Sequence, residues 1–169
     1  MNARDGFLGL IILLLAANLV AMLWSDTDGH ATDEAAAVAV APPLPKIVSV
    51  ELKEELLENF IEYFNDRDFD EIYTMLGPSA RAQVDEDTLE TRFEKLAKLF
   101  GSIENGAYSH SLLVGTQGAT RIYQLYYQLK LSDDSELGDA GTLQITLEIE
   151  GEDYQIYDLS LQVGAYSKT

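Results

Sequence analysis

The amino-acid sequence predicts an α+β domain, with N-terminal helices packed on an antiparallel sheet and one transmembrane helix before them. Three observations lead to this fold class. Residues 7–24 are apolar almost throughout, and residues 50–100 place apolar side chains at helical spacing. After Gly101 the apolar side chains recur at every second position. Helices followed by a run of antiparallel strands are typical of the α+β class.

The 169 residues divide into four parts. Residues 1–6 form a short N-terminal segment, residues 7–24 a transmembrane signal anchor, residues 25–46 a linker and residues 47–169 the folded domain. The linker combines acidic residues, an Ala/Val run and prolines at positions 42, 43 and 45, which favour an extended chain. The remaining length allows one domain with one core.

Residues 7–24 carry no charge and end at Trp24. As a helix they would extend about 27 Å, close to a hydrocarbon core of about 30 Å, with the tryptophan at the interface. The alternative is a cleaved signal peptide, which would have a shorter apolar region and small residues before the cleavage site. Leu19 and Leu23 occupy such positions here, so we expect an uncleaved anchor.

The flanking charges predict the orientation of this segment. Arg4 precedes it, and the next basic residue is Lys46. Because the positive side stays in the cytoplasm, the N-terminus is expected there and the domain in the periplasm or outside the cell. The predicted location is therefore the cell inner membrane, assuming a bacterial source.

The composition excludes several classes of function. The chain has 29 acidic and 11 basic residues, a net charge of −18, and no cysteine. This charge opposes binding to nucleic acid and to anionic lipid head groups, and the lack of cysteine excludes disulfides and thiolate metal sites. Solubility explains the acidic surface, and a basic protein partner is the alternative.

Three helices are predicted before Gly101. The first covers residues 50–64 with Ser49 as N-cap, and the second runs from an Asp68 cap through Met75. A turn or short helix follows at residues 79–84. The third has a cap at Asp87, with Glu90 three residues later, and ends at Gly101.

Four strands are predicted after Gly101, and the first of them, at residues 107–114, has the weakest pattern. The others cover residues 120–131, 142–150 and 154–163, with alternating apolar and polar side chains. In the last strand the alternation shifts between Ile156 and Tyr157, which predicts a bulge or a change of buried face.

Three segments carry a resemblance to a known superfamily: FIEYFNDRDFDEIYTML (60–76), LETRFEKLAKLFGSI (89–103) and YQIYDLSLQ (154–162). Their order and spacing resemble the nuclear transport factor two-like superfamily (cystatin-like cone, ketosteroid isomerase-like), and within it bacterial anchored or secreted members of unknown function. The resemblance covers residues 48–163 and implies helices packed on a curled antiparallel sheet. It carries no catalytic signature.

Two sets of candidate site residues follow from the predicted faces. The inward set would line a core or an apolar pocket, and it consists of Phe60, Phe64, Tyr73, Phe93, Tyr123, Leu125, Tyr127 and Ile145. The outward set would form an interface, and it consists of Gln124, Tyr126, Gln128, Thr142, Gln144 and Thr146.

Catalytic, cofactor and metal sites are not predicted. Asp66, Asp68 and Asp70 begin like a calcium loop, but glutamate and glycine are exchanged at positions 71 and 77, so helix capping explains them better. The acidic cluster at residues 133–139 is expected to be a solvated loop. His110 is expected to be a surface strand residue, since no nucleophile or ligand set can be assigned around it.

The sequence therefore favours a non-catalytic binding or assembly module that acts through a protein partner or as a homodimer. One alternative is a carrier of a small apolar ligand in the cone between helices and sheet. The other is a ketosteroid isomerase-like enzyme, for which the superfamily's chemistry implies an Asp or His base in that cone, with Tyr or acid groups that polarise a carbonyl.

Overall fold

The computed structural model describes residues 43–163. The predicted N-terminal segment and anchor (1–24) and most of the linker (25–46) lie outside these residues, as does the end of the domain (164–169). Among the described helices, none has the length and apolarity needed to cross a membrane.

Four helices form the first layer. Helix α1 covers Val50–Asp66, α2 Phe69–Met75, α3 Pro78–Arg81 and α4 Glu86–Phe100. The predicted caps of the first two are confirmed, since Ser49 accepts a hydrogen bond from Leu52 N and Asp68 from Glu71 N. Helix α3 is shorter than the predicted segment 79–84, and it begins with Pro78 in the first turn, where a missing N–H costs nothing.

The predicted start of α4 was wrong by two residues. The cap is Asp85, which has extended backbone angles and accepts a hydrogen bond from Thr88 N, whereas Asp87 already lies inside the first turn. Both Asp85 and Asp87 fit the capping pattern, because Thr88 lies three residues after the first and Glu90 three residues after the second. Backbone geometry distinguishes them, and it favours Asp85.

The second layer is one antiparallel sheet in which consecutive strands are neighbours. Strand β1 covers Ile103–Gln117, β2 Thr120–Leu131, β3 Ala140–Glu150 and β4 Asp153–Val163, in the order β1-β2-β3-β4. The sheet is curled, and the helices pack on its inner face.

Strand β1 is longer than the predicted segment 107–114. Its register against β2 shifts after Ile103, after Tyr108 and after Leu113. Each shift reverses the face on which the following side chains lie. The interrupted alternation explains why the sequence indicated this strand weakly.

The predicted irregularity in β4 is confirmed as a bulge. Leu147 pairs with Ile156, and the preceding Thr146 pairs with Asp158, so Tyr157 is the extra residue. Because of this insertion Ile156 and Leu159 lie on the same inner face despite their odd separation.

The core lies between the two layers. It contains five residues of α1 and the inward positions of β2 and β3, together with residues from α2, α4, β1 and β4. Gly106 allows α1 to come close to the sheet, because a Cβ at this position would lie 2.9 Å from Leu129 Cδ2 and 3.1 Å from Leu57 Cδ1. At the opposite edge, Gly77 N donates to the Ile156 carbonyl at 2.8 Å.

Candidate functional site

The inward candidates lie together between helices and sheet. Tyr73 is half-buried at the margin of the cluster. The other seven are buried: Phe60, Phe64, Phe93, Tyr123, Leu125, Tyr127 and Ile145. The apolar spacing of each element therefore placed these side chains on the side that packs against the other layer.

The phenylalanines of this cluster are in mutual contact. The ring of Phe60 lies 5.7 Å from that of Phe64 and 6.1 Å from that of Phe93, and the rings of Phe64 and Phe93 are 6.3 Å apart. Phe69, which was not among the candidates, stacks on Phe93 at 5.9 Å. These separations are those of packed aromatic pairs, in which each ring fills the space beside the next.

Two buried polar atoms have no partner in this core. The hydroxyls of Tyr123 and Tyr127 are inaccessible to solvent and lack a hydrogen bond among the described residues. Burial raises the pKa of Tyr127, with a smaller contribution from nearby Tyr108, so this phenol stays protonated at neutral pH. A buried hydroxyl without a partner is costly and is seldom found without a reason.

Among the described residues, no carboxylate side chain is buried in the same region. Among residues 43–163, the buried polar or charged side chain is Thr146, and each described carboxylate side chain lies outside the buried set. Thr146 itself lies on the outer face. The inner cluster thus offers two phenols but no buried carboxylate base beside them.

The outward candidates form an array on the other face of the sheet. The register pairs Gln124 with Thr146, Tyr126 with Gln144 and Gln128 with Thr142. All six residues therefore lie side by side on two central strands, as the alternation predicted. We call these six residues the outer array.

Strand β1 places two further side chains beside the outer array, neither of which was among the outward candidates. His110 pairs with Tyr126, and the two rings stack at 4.6 Å with 3° between their planes. Leu112 pairs with Gln124 and remains 45% exposed. The bulges of β1 hid this arrangement, because they break the alternation from which a face can be recognised.

The charged side chains of this face lie at its margins. Asp158 pairs with Thr146 from the β4 side, and Glu148 pairs with Ile122 at one end of the array. Lys130 and Glu104 form a salt bridge near the other end. The centre of the face is polar but uncharged, in a chain that carries a net charge of −18.

The acidic motifs have local structural roles. Asp68 caps α2, and Asp134 accepts a hydrogen bond from Ser132, which holds the pKa of the Asp134 carboxyl below its usual range. Within the part of the chain that the structure describes, histidine and acidic side chains nowhere gather in a group of three that could hold a metal ion. His110 lies on the sheet surface, where Ser109 Oγ is 3.0 Å from its Nδ1.

Comparisons with known proteins give a likeness in structure and none in sequence. No family model matches the chain, and no curated protein matches it. Among solved structures, the chain is similar to Aln2 from a Streptomyces species, with a TM-score of 0.43 and 13% identity. The match covers 72% of this chain and 94% of Aln2. A likeness of this size concerns the general fold alone.

Proposed function

We propose that this chain is a membrane-tethered, extracytoplasmic domain of the nuclear transport factor two-like superfamily that acts without catalysis, by self-association through the outer array. The observation that carries the proposal is the uncharged centre of the outer sheet face. The tether and the location are inferred from residues 1–46, and the superfamily from the three segments quoted above.

The distribution of charge supports self-association through this face. An isologous contact brings the same face of both copies together, so acidic side chains near its two-fold axis would meet their own copies and be repelled. The outer array avoids this cost because its six members are uncharged. Depletion of charge at the centre is also what distinguishes protein interfaces from the rest of a surface.

The composition of the face supports the same conclusion. The stacked pair of His110 and Tyr126 presents a rigid aromatic surface beside the exposed Leu112. Tyrosine is enriched in interfaces because it contributes a large contact area at a small cost in side-chain entropy.

The size of the face is adequate for a stable contact. Strands β3 and β4 each contain 11 residues. At about 3.3 Å per residue and about 4.8 Å between strands, the four-stranded face has a projected area of roughly 600 Å². This is of the same order as the ~800 Å² that each partner buries in a standard interface.

The test is the mass of the full chain in a non-ionic detergent, measured by sedimentation with the detergent matched in density. We expect a dimer for the unmodified protein and a monomer for Gln144→Glu, which places two like charges at the centre of the contact. The matched control is Gln117→Glu, the same change on an exposed residue at the end of β1, and it should remain dimeric. A monomeric unmodified protein, or equal effects of both substitutions, would contradict the proposal.

A second candidate function has one observation in its favour. The unpartnered hydroxyls of Tyr123 and Tyr127 can each donate or accept, and a small, largely apolar ligand with a hydrogen-bonding group would satisfy them, so a ligand carrier is the alternative. Its test is fluorescence of N-phenyl-1-naphthylamine with the full chain. Saturable binding that is lost in Tyr127→Phe would favour the carrier over the assembly module.

A further inference from the structure

Helix α1 and strand β1 run antiparallel along one side of the domain. At one end Asn65 bonds to the backbone of Ile103, and at the other Lys53 Nζ lies 4.3 Å from the centre of the Tyr108 ring. The helix therefore follows the strand over this distance, which leaves a continuous seam between them.

The seam contains a groove of about 490 Å³ with an apolar floor. Leu57 and Ile61 of the helix line it from one side, and Asn105 and Gly106 of the strand from the other. Gly106 keeps the floor open, since a side chain there would occupy the space beside Leu57. A shallow apolar floor of this kind suits an aliphatic side chain.

Three glutamates form the rim of this groove. Glu54, Glu58 and Glu62 are exposed and follow one another at four-residue intervals along α1. Like charges at this spacing destabilise a helix. Among residues 43–163 the salt bridge present joins Lys130 to Glu104, and none reaches these glutamates. The rim is thus a line of negative charge, without a salt bridge among these residues, beside an apolar surface.

We infer that this seam is a second docking site, which takes an extended cationic segment of a partner protein with apolar and basic side chains in alternation. The occupant is assigned by charge complementarity: basic side chains would meet the three glutamates, and the intervening apolar side chains would cover Leu57 and Ile61. Neutralising the rim also removes the repulsion within α1, which favours the bound state further.

The spacing of the rim supports an extended occupant. Four residues of helix rise about 6.0 Å, and two residues of extended chain span about 6.6 Å. Every second residue of an extended segment would therefore meet one glutamate after another. The adjoining strand also favours an extended occupant, because among residues 43–163 β1 pairs with β2 alone and is an edge of the sheet. Edge strands are the usual place where an extended peptide is added to a sheet.

This site is separate from the outer array. The array lies on the outer face of β2 and β3, whereas the rim belongs to a helix packed on the inner side. Gln144→Glu, which tests the proposed self-association, should therefore leave peptide binding unchanged. Failure of one proposal does not imply failure of the other.

The experiment measures fluorescence anisotropy of a labelled seven-residue peptide of alternating lysine and valine, mixed with the full chain in a non-ionic detergent. We compare the unmodified protein with the triple variant Glu54→Gln, Glu58→Gln and Glu62→Gln. The matched control is Glu86→Gln, Glu90→Gln and Glu94→Gln, three exposed glutamates at the same spacing on α4.

We expect the rim variant to weaken binding about tenfold, the effect of two or three surface charge pairs, and the α4 variant to change it by less than about twofold. A peptide of equal composition with its four lysines in one block should bind more weakly than the alternating one. Equal losses in both variants would show diffuse attraction and overturn the proposal. Absence of binding, or tighter binding of a helical peptide with lysines four residues apart, would overturn it too.

Discussion

Asn65 closes a pair of hydrogen bonds with the backbone of Ile103 across the boundary between helix and sheet. Ile103 N donates to Asn65 Oδ1 at 2.8 Å, and Asn65 Nδ2 donates to the Ile103 carbonyl at 2.9 Å. A neighbouring strand would satisfy the same two groups in this way. The side chain thus replaces a strand at the first residue of the β1 edge and joins the end of α1 to the sheet.

Replacing Asn65 should therefore destabilise the domain. Asn65→Ala leaves the N–H and the carbonyl of Ile103 without these partners, and we expect a loss of about 1–3 kcal/mol in the free energy of unfolding. Urea unfolding followed by the near-ultraviolet circular dichroism of the tyrosines measures this loss. The control is Asn59→Ala on the same helix, which should stay within about 0.5 kcal/mol. Equal effects at both positions would argue against a special role of the Asn65–Ile103 pair.

The aromatic cluster should respond strongly to truncation. Phe64→Ala and Phe93→Ala each remove a buried ring from mutual contact, and we expect each to cost about 3–5 kcal/mol. Val50→Ala, at an exposed position, should change stability by less than about 0.5 kcal/mol. Losses of only about 1–2 kcal/mol, together with lost binding of N-phenyl-1-naphthylamine, would instead indicate a lined pocket and favour the ligand carrier.

The cap of α4 should make stability depend on pH. Hydrogen bonds from the backbone and hydroxyl of Thr88 hold the pKa of Asp85 below its ordinary value of 3.8. A carboxyl whose pKa is lowered by folding contributes stability above that ordinary value, and the contribution is lost as the pH falls through the folded-state pKa. Asp85→Asn keeps an acceptor but does not titrate.

We therefore expect the melting temperature of Asp85→Asn to lie below that of the unmodified protein at pH 7, and the difference to shrink as the pH falls below 3.8. Thermal unfolding at a series of pH values provides the measurement. Asp87→Asn, at the position that the sequence pattern suggested as the cap, should lower the melting temperature less at pH 7. A larger decrease in melting temperature for Asp87→Asn than for Asp85→Asn would indicate that Asp87 is the cap.

The N-terminal segment should remain attached to the mature protein. Its apolar region is longer than that of most signal peptides, and leucine occupies the positions where small residues precede a cut. Intact-mass spectrometry of membrane-extracted protein should find a chain that retains residues 7–24. A soluble form beginning near Ser25 would contradict the anchor.

Much of the fold could be predicted because it depends on local periodicity. The inward residues of β2 and the apolar stripes of α1 and α4 were identified from spacing alone, as was an irregularity between Ile156 and Tyr157 that the structure shows to be a bulge. The bounds and faces of strand β1 were harder to predict, because three register shifts interrupt the alternation of its inward and outward residues. The sequence placed His110 on a strand surface, but it did not show that His110 and Leu112 lie beside the outer array.

The sequence by itself determined the α+β class, the order of the elements and the two faces of the sheet, because hydrophobic periods of 3.6 and 2 are properties of single segments. The tertiary structure alone decided which segments meet. The Asn65–Ile103 pair joins residues 38 apart, and the groove between α1 and β1 combines positions 43 to 52 apart. Such contacts depend on how two layers pack and leave no periodic trace in either segment. For this reason the acidic rim of Glu54, Glu58 and Glu62 could be recognised as a site beside an apolar floor only once β1 lay against the helix.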